Sequence, residues 1–446
     1  MNIQQSLTHG PLGKKILLFS LPLIASNLLQ VLFNMADIAV VGRFSGPVAL
    51  GSVGSTSTLI FLFTGFLMGI GNGINVLVAR HYGAESKRDI RETVHTAVLV
   101  ALAAGFIILL IGLLLSGPML KLLNTKDDLL PGAVLYMRVY FLGMPAMAIY
   151  NFGNAVFSAV GDTKKPLYFL LIAGILNVVL NLFFVIVCHM GVAGVALASI
   201  LSQYVAAIFV VRALSRTDNI YGLDRKHLYI TPNKARDILA LGIPSGLQNV
   251  IFSIANLFIQ AGINTFDSVV VEGNSAAANA DALVYDVMNA FYIACSSFMG
   301  QNYGAGQKKR VLRSYFICLG YSFGISAILS GLLVLFGRHF LSLFTTDLHV
   351  IEAGMIRLTI MGLSYPVSAF MDCTIAASRG LGKSIIPTVI VILGSCVFRV
   401  IWVYTIFAWF QTLQSLYLLY VFSWSITAAA EIVYFIHSYK KTMAVF

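Results

Sequence analysis

The sequence predicts an all-α integral membrane protein, with twelve transmembrane helices in two pseudo-symmetric six-helix lobes. Three observations carry that prediction. Only 11% of the 446 residues are charged and 58% are hydrophobic, with a mean hydropathy of +0.86. A soluble domain is nearer about 25% charged. Apolar runs long enough to cross a bilayer recur along the chain. Landmarks of the first half also return in the second. A soluble enzyme is excluded.

The spans are read in order from these runs and the basic residues that bound them. Lys14 and Lys15 precede the first, 16–42, which carries Pro22 and reads as an uncleaved span because no small-residue cleavage site follows a short apolar core. The second, 48–79, ends at Arg80; the third, 92–116, follows Lys87, Arg88 and Arg91. The fourth, 131–158, contains Pro145 and stops before Lys164 and Lys165. The fifth, 165–189, holds the NVVLN run, and the sixth, 191–213, ends near Arg212 and Arg216. Residues 1–214 form the first lobe, 215–236 a charged cytoplasmic linker, and 237–446 the second lobe. There the seventh span, 237–265, follows Lys234 and Arg236 and holds Pro244, and the eighth is 276–302. The ninth, 312–337, follows Lys308, Lys309 and Arg310; the tenth, 351–378, holds Pro366 and ends at Arg379. The eleventh, 385–409, follows Lys383 and contains Arg399, and the twelfth, 413–438, ends before Lys440 and Lys441.

The internal repeat fixes the lobes. SLPLIASNLLQVLFNMADI resembles ALGIPSGLQNVIFSIANLFI, pairing Pro22 with Pro244, Asn27 with Asn249 and Asn34 with Asn256. HYGAESKR resembles NYGAGQKKR, and Pro145 and Pro166 pair with Pro366 and Pro387 at nearly the same spacing. Six spans per half put both halves in the same orientation, as parallel repeats about an axis along the membrane normal.

Charge then sets orientation. The net charge is +11, and most of the 29 basic residues, Arg225 and Lys226 included, collect on one face. Arg43, Lys121, Lys126 and Arg338 fall on the other, and Arg138, Arg357 and Arg399 inside spans. The positive-inside rule places both termini in the cytoplasm. The basic balance signals topology and contact with membrane lipids rather than nucleic acid. Five cysteines without a CxxC read as packed residues. RGLGKS lacks the first glycine of a phosphate loop, GIGNG follows no strand, and no HExxH is present. No cofactor and no resident metal are expected, and the chain is read as a monomer.

Two halves enclosing a cleft suit alternating access, with paired Pro22 and Pro244 as hinges and small-residue runs Gly65/Gly69/Gly73 and Gly320/Gly324 for close packing. A carboxylate at bilayer depth is costly and usually functional. Asp37 stands in the first span amid FNMADIAVVG. Asn177 and Asn181 share a face of the fifth span, and Ser199 adds a hydroxyl in the sixth. One carboxylate, two amides and a hydroxyl suit a proton or a hard cation such as Na⁺. The alternative is a protonated Asp37 that only ties helices together. In the second half, Asp286, Asp372 and Glu431 lie in spans and Asp281 near a span end, where a snorkelling or cavity-lining role suits Glu431 and Asp281. Arg399 needs a partner, for which Asp372, Asp286 or an anionic ligand would serve. Asn34, Met35, Met68, Met144, Asn256, Asp286, Met288, Asp372 and Arg399 are candidates for a substrate cleft.

LPLIASNLLQVLFNMADIAVVGRFSG, VARHYGAESKRD, SAVGDTKKP, NVVLNLFFVIV with GVAGVALAS, and ASRGLGKSIIP together resemble the multidrug and toxic compound extrusion (MATE) transporters, nearest their bacterial damage-inducible (DinF-like) branch. The resemblance implies the MATE/MOP-type fold and an antiporter, not an enzyme. It would expel amphiphilic, often cationic organic compounds across the bacterial inner membrane in exchange for H⁺ or Na⁺. It carries the family's first-helix acid onto Asp37, the fifth-helix polar pair onto Asn177 and Asn181, and the sixth-helix hydroxyl onto Ser199. Many relatives of this branch have Asp where Asn181 stands, which leaves the ion and its stoichiometry open. A lipid-linked oligosaccharide or other lipid flippase of the same superfamily is the alternative, and the few arginines within spans argue against its cationic cavity.

Overall fold

The computed structural model describes residues 6–224 and 226–444, so Arg225 of the basic face lies outside the described residues. Apart from the connections between helices, the described residues are α-helical or π-helical. The first half comprises α1 (Leu12–Phe44), α2 (Gly46–Gly83), α3 (Lys87–Leu122), α4 (Leu130–Phe141), α5 (Met144–Ala159), α6 (Lys164–Val187) and α7 (Gly191–Ser215). The second comprises α8 (Pro232–Ile263), α9 (Ser268–Gly304), α10 (Lys308–Leu341), α11 (Leu348–Gly380), α12 (Ile385–Phe410) and α13 (Leu413–Met443). Eleven of these are long and apolar enough to cross a membrane, and α4 with α5, bent by 48°, makes the twelfth span. Each of the twelve spans expected from the sequence falls on one of these.

The bend in the fourth span has a local cause. Pro145 lacks an amide proton and cannot continue the ladder from α4. Beside the break, the Leu142 carbonyl accepts from the Tyr204 hydroxyl at 2.9 Å. Its repeat mate Pro366 lies inside an unbroken α11. The helix ends also repeat. Gly161 (φ +94°) follows α5 and Gly382 (φ +79°) follows α11, both in left-handed backbone that a glycine adopts without a Cβ penalty. The same repeat shows in wide π-helical turns, Phe183–Val187 ending α6 and Val403–Phe407 near the end of α12.

Two compact units result. One gathers residues 25–246, the other residues 7–24 with 247 onward. Each unit therefore takes the opening of the helix that begins the other half. The chain passes between units within a few residues of Pro22 in α1 and Pro244 in α8.

In the first unit, the start of α8 lies on α2 through glycines. A Cβ on Gly69 would sit 2.1 Å from the Gly246 nitrogen, and one on Gly73 would sit 2.6 Å from the Gly242 nitrogen. Asn72 donates to the Ser245 hydroxyl at 3.2 Å across the same contact. The expected close-packing run Gly320/Gly324 does no such thing, since a Cβ at either would meet nothing within 4 Å. The stretch from Arg216 to Thr231 is no loose tether. Tyr221 and Leu223 are buried in the core of this unit, and Thr231 N–H donates to Thr96 Oγ1 at 3.0 Å.

In the second unit, Leu12, Ile16 and Phe19 of α1 join the apolar cluster of α9, α10 and α11, with Phe19 edge-on to Phe298 at 5.5 Å. Gln301 and the NYGAGQKKR motif that follows it hold the segment before α1. Leu7 N–H donates to Gln301 at 3.0 Å, and Arg310 donates to the carbonyls of Gly10 (2.9 Å) and Leu7 (3.1 Å).

Candidate cation-coupling site

In the first unit α1 brings Asp37 against α6 and α7. The approach of α1 is set one turn earlier, where Phe33 occupies the space left by Gly174: a Cβ there would fall 1.8 Å from the ring. Gly174, Asn177 and Asn181 follow one face of α6, so the contact at Gly174 presents both amides to Asp37.

The four polar side chains close a ring. Asn181 Nδ2 donates to Asp37 Oδ1, and the Ser199 hydroxyl donates to Asp37 Oδ2 at 3.3 Å. Asn177 Nδ2 donates to Ser199 Oγ at 3.3 Å, while Asn177 Oδ1 accepts from Asn181 Nδ2 at 3.4 Å. Asn181 is fully buried (0% exposed) and its Oδ1 has no hydrogen-bond partner. Asp37 is half-buried. Tyr136 and Tyr140 of α4, stacked at 5.8 Å, stand within electrostatic reach of it. With Val40, Val41 and Val195 they wall the site with apolar surface. Among the described residues no basic side chain forms an ion pair with Asp37, and no group of three or more His, Cys, Asp or Glu residues is placed to hold a metal.

Chemically, the ring offers a carboxylate, two amide oxygens and a hydroxyl, all hard donors suited to a proton or an alkali cation. The ionised form costs about 2.5–3.5 kcal/mol at the centre of a bilayer on insertion scales. Hydrogen bonds from Asn181 and Ser199 offset part of that, and a bound proton or cation would offset the rest.

The other sequence candidates are placed differently. Asn34, Met35 and Met68 are exposed, as is Asn256. Met144 and Met288 are instead buried in helix packing, so neither lines an open surface: Met144 opens α5 against Gly105, and Met288 accepts from the Ser368 hydroxyl at 4.0 Å. Asp286 and Asp372 are half-buried. Arg399 is paired with neither of them. It donates to Ser423 Oγ at 3.1 Å and to Asn256 Oδ1 at 3.4 Å. Pro22 is buried and Pro244 half-buried.

Neither of the second-half acids Asp281 and Glu431 snorkels to solvent. Asp281 accepts from Arg357 Nε at 2.8 Å, and that guanidinium also donates to Asn274 at 2.5 Å. Glu431 is fully buried, with neither carboxyl oxygen hydrogen-bonded. Arg379, grouped by sequence with the solvated basic face, is buried and donates to Tyr292, Gln248 (2.8 Å) and Thr388 (3.1 Å). Its position at the end of an apolar run hid this, because a flanking arginine reads as interfacial.

The family profile named MatE matches the chain twice, over residues 22–183 and 244–405. The chain belongs to the MatE family. It is a multi-pass membrane transporter, not an enzyme, and the paired match coincides with the repeat read from the prolines and asparagines. Among similar proteins is the probable multidrug resistance protein YpnP of Bacillus subtilis, 29% identical over 362 residues and 80% of each chain. DNA damage-inducible protein F of Escherichia coli is 26% identical over 333 residues, 73% of this chain and 72% of that protein. A structure described as the outward-facing conformation of a multidrug resistance MATE family transporter of the MOP superfamily superposes with a TM-score of 0.90. It is 23% identical, and the match covers 98% of each chain. That likeness speaks to the fold of this MatE protein, and the two sequence relatives agree with the family.

Proposed function

We propose that this MatE protein is a cation-coupled multidrug efflux antiporter of the bacterial inner membrane, acting as a monomer with both termini in the cytoplasm. It would expel amphiphilic organic compounds by alternating access, with Asp37 carrying the coupling ion. The observation that carries the reading is the closed ring of Asp37, Asn177, Asn181 and Ser199. The multidrug resistance names of the relatives support the substrate class.

The ring supplies the switch. With Asp37 ionised, Asn181 and Ser199 both donate to it. When Asp37 takes a proton, one carboxyl oxygen becomes a donor and needs an acceptor. The buried Asn181 Oδ1, which has no partner in the ionised arrangement, supplies one when the amide turns over. A sodium ion would draw on the same oxygens. Either way ion binding changes the hold of α6 and α7 on α1. Pro22 interrupts the α1 ladder, so this helix can bend there. Coupling requires only that ion and substrate prefer different states. Inward movement of one charge supplies about 2.3 kcal/mol per 100 mV, enough for a roughly fiftyfold gradient of a neutral substrate. Dye efflux from everted vesicles, with H⁺ and Na⁺ gradients imposed separately, tests the reading. Transport under one gradient supports it, and equal rates with and without either gradient contradict it.

A further inference from the structure

The repeat that places Asp37 in the first half does not place an acid in the second. At the spacing that pairs Asn34 with Asn256, Ile259 stands opposite Asp37; at the spacing that pairs Pro166 with Pro387, Phe398 stands opposite Asn177 and Trp402 opposite Asn181, with Arg399 between them. The coupling set is therefore not duplicated, and this stretch of the second half carries a cation, Arg399. Arg399 is 2% exposed and forms no ion pair among the described residues. Its guanidinium lies 4.6 Å from the Tyr420 ring, 5.2 Å from Phe252 and 5.6 Å from Trp424. Aromatic faces compensate a buried cation only in part. Of its nitrogens, one NH2 group is buried with no hydrogen-bond partner. The other terminal nitrogen is held only by the long 3.4 Å bond to Asn256, whose residue is exposed. Wide π-helical turns, Ile392–Val397 and Val403–Phe407, flank this short stretch of α12, a distortion found frequently at functional sites.

We propose that Arg399 receives the anionic group, a carboxylate or phosphate, of an amphiphile, with Asn256 as the side chain that this group displaces. A planar carboxylate would take both terminal nitrogens of the guanidinium in a forked pair. The flanking rings of Phe252, Tyr420 and Trp424 would accept the apolar part of the same molecule. The inference deepens the efflux reading by extending its substrates to acidic and zwitterionic amphiphiles, and it rests on that reading only for the claim that the bound molecule is transported.

The test is equilibrium binding without any ion gradient, so that a failure of coupling cannot be mistaken for a failure of this site. The full chain in phosphatidylcholine nanodiscs is titrated with fluorescein, an anionic xanthene, and with rhodamine 6G, a cationic one. Arg399→Gln should lower the affinity for fluorescein relative to rhodamine 6G by roughly tenfold to a hundredfold, the effect of losing hydrogen bonds to a charged group. Arg399→Lys, which keeps the charge but not the fork, should lose less. Asn256→Ala removes the competing acceptor and should tighten fluorescein, a gain that a merely structural arginine would not produce. It also decides the matter if Arg399→Gln fails to fold. Competition by added phosphatidylglycerol would assign the site to a lipid headgroup, and its absence to a soluble anion. No fluorescein binding by the unaltered chain, an unchanged ratio in a folded Arg399→Gln, or looser binding in Asn256→Ala overturns the proposal.

Discussion

Gly69→Ala adds one methyl group where α2 meets the start of α8, and the structure says where it goes. The new carbon would fall 2.1 Å from the Gly246 nitrogen and 2.2 Å from the Gly246 Cα. Backbone cannot rotate out of the way as a side chain does, so the two helices must part by more than about 1 Å to restore van der Waals contact. That movement also stretches the Asn72–Ser245 hydrogen bond and opens the neighbouring close approach of Gly73 to Gly242. Overpacking of this kind costs about 1–3 kcal/mol. For a body the size of this unit, each kcal/mol shifts the melting midpoint by roughly 2–4 °C. The expected loss is therefore roughly 2–12 °C in a detergent-solubilised thermal scan. Gly320→Ala and Gly324→Ala are the controls, since their added methyls meet nothing within 4 Å. In a helix they should be neutral or stabilising by up to about 1 kcal/mol. If Gly69→Ala melts with the unaltered protein, or if the controls lose as much, the packing argument is wrong.

Asp281→Ala strands the Arg357 guanidinium in the second unit and should cost about 3–5 kcal/mol, read as a fall in melting midpoint; a neutral result would show that the pair is not desolvated. Asn181→Asp sets a second carboxylate beside Asp37, so one of the two must hold a proton or share a cation. Efflux in this variant should depend on a different number of ions, measured as the slope of transport rate against imposed gradient, and an unchanged slope would remove Asn181 from the ring. Outside the membrane, the hydrogen bond from His227, then that from the Lys226 amide, holds the Asp224 carboxyl below its ordinary range. A depressed carboxyl stabilises the docked loop above its unfolded value and gives that stability up as pH falls through its folded value. Exchange protection of the Leu223 and Asp224 amides should thus fall on acidification below about pH 4, and Asp224→Asn should flatten that dependence; protection independent of pH in the unaltered chain would count against it.

The spans were legible because a bilayer leaves the sequence few ways to write a helix: apolar length between basic ends suffices. The meeting of Asp37, Asn177, Asn181 and Ser199 was legible for the same reason, since deep polar groups in apolar helices have to find one another. Harder to read was anything set by the partner surface. Gly69 and Gly320 look alike in sequence, yet one abuts the Gly246 backbone and the other meets open space. GIPSG in α8 carried the missing half of that signal, two glycines four apart around Pro244. Met144 and Met288 looked like cleft residues, and only packing shows them buried. Tyr136 and Tyr140 were hidden among many aromatics. The exchange of helix openings between units depends on tertiary contacts of Leu7, Ile16 and Phe19 that no local pattern encodes.

Everything in the proposed mechanism turns on Asp37 carrying the coupling ion. The most direct test of that role is Asp37→Asn, reconstituted in liposomes after its melting midpoint has been shown to match the unaltered protein, with rhodamine 6G transport followed under imposed H⁺ and then Na⁺ gradients. Transport driven by the coupling gradient should be lost in this variant. Gradient-driven transport at the unaltered rate in a folded Asp37→Asn protein would contradict it.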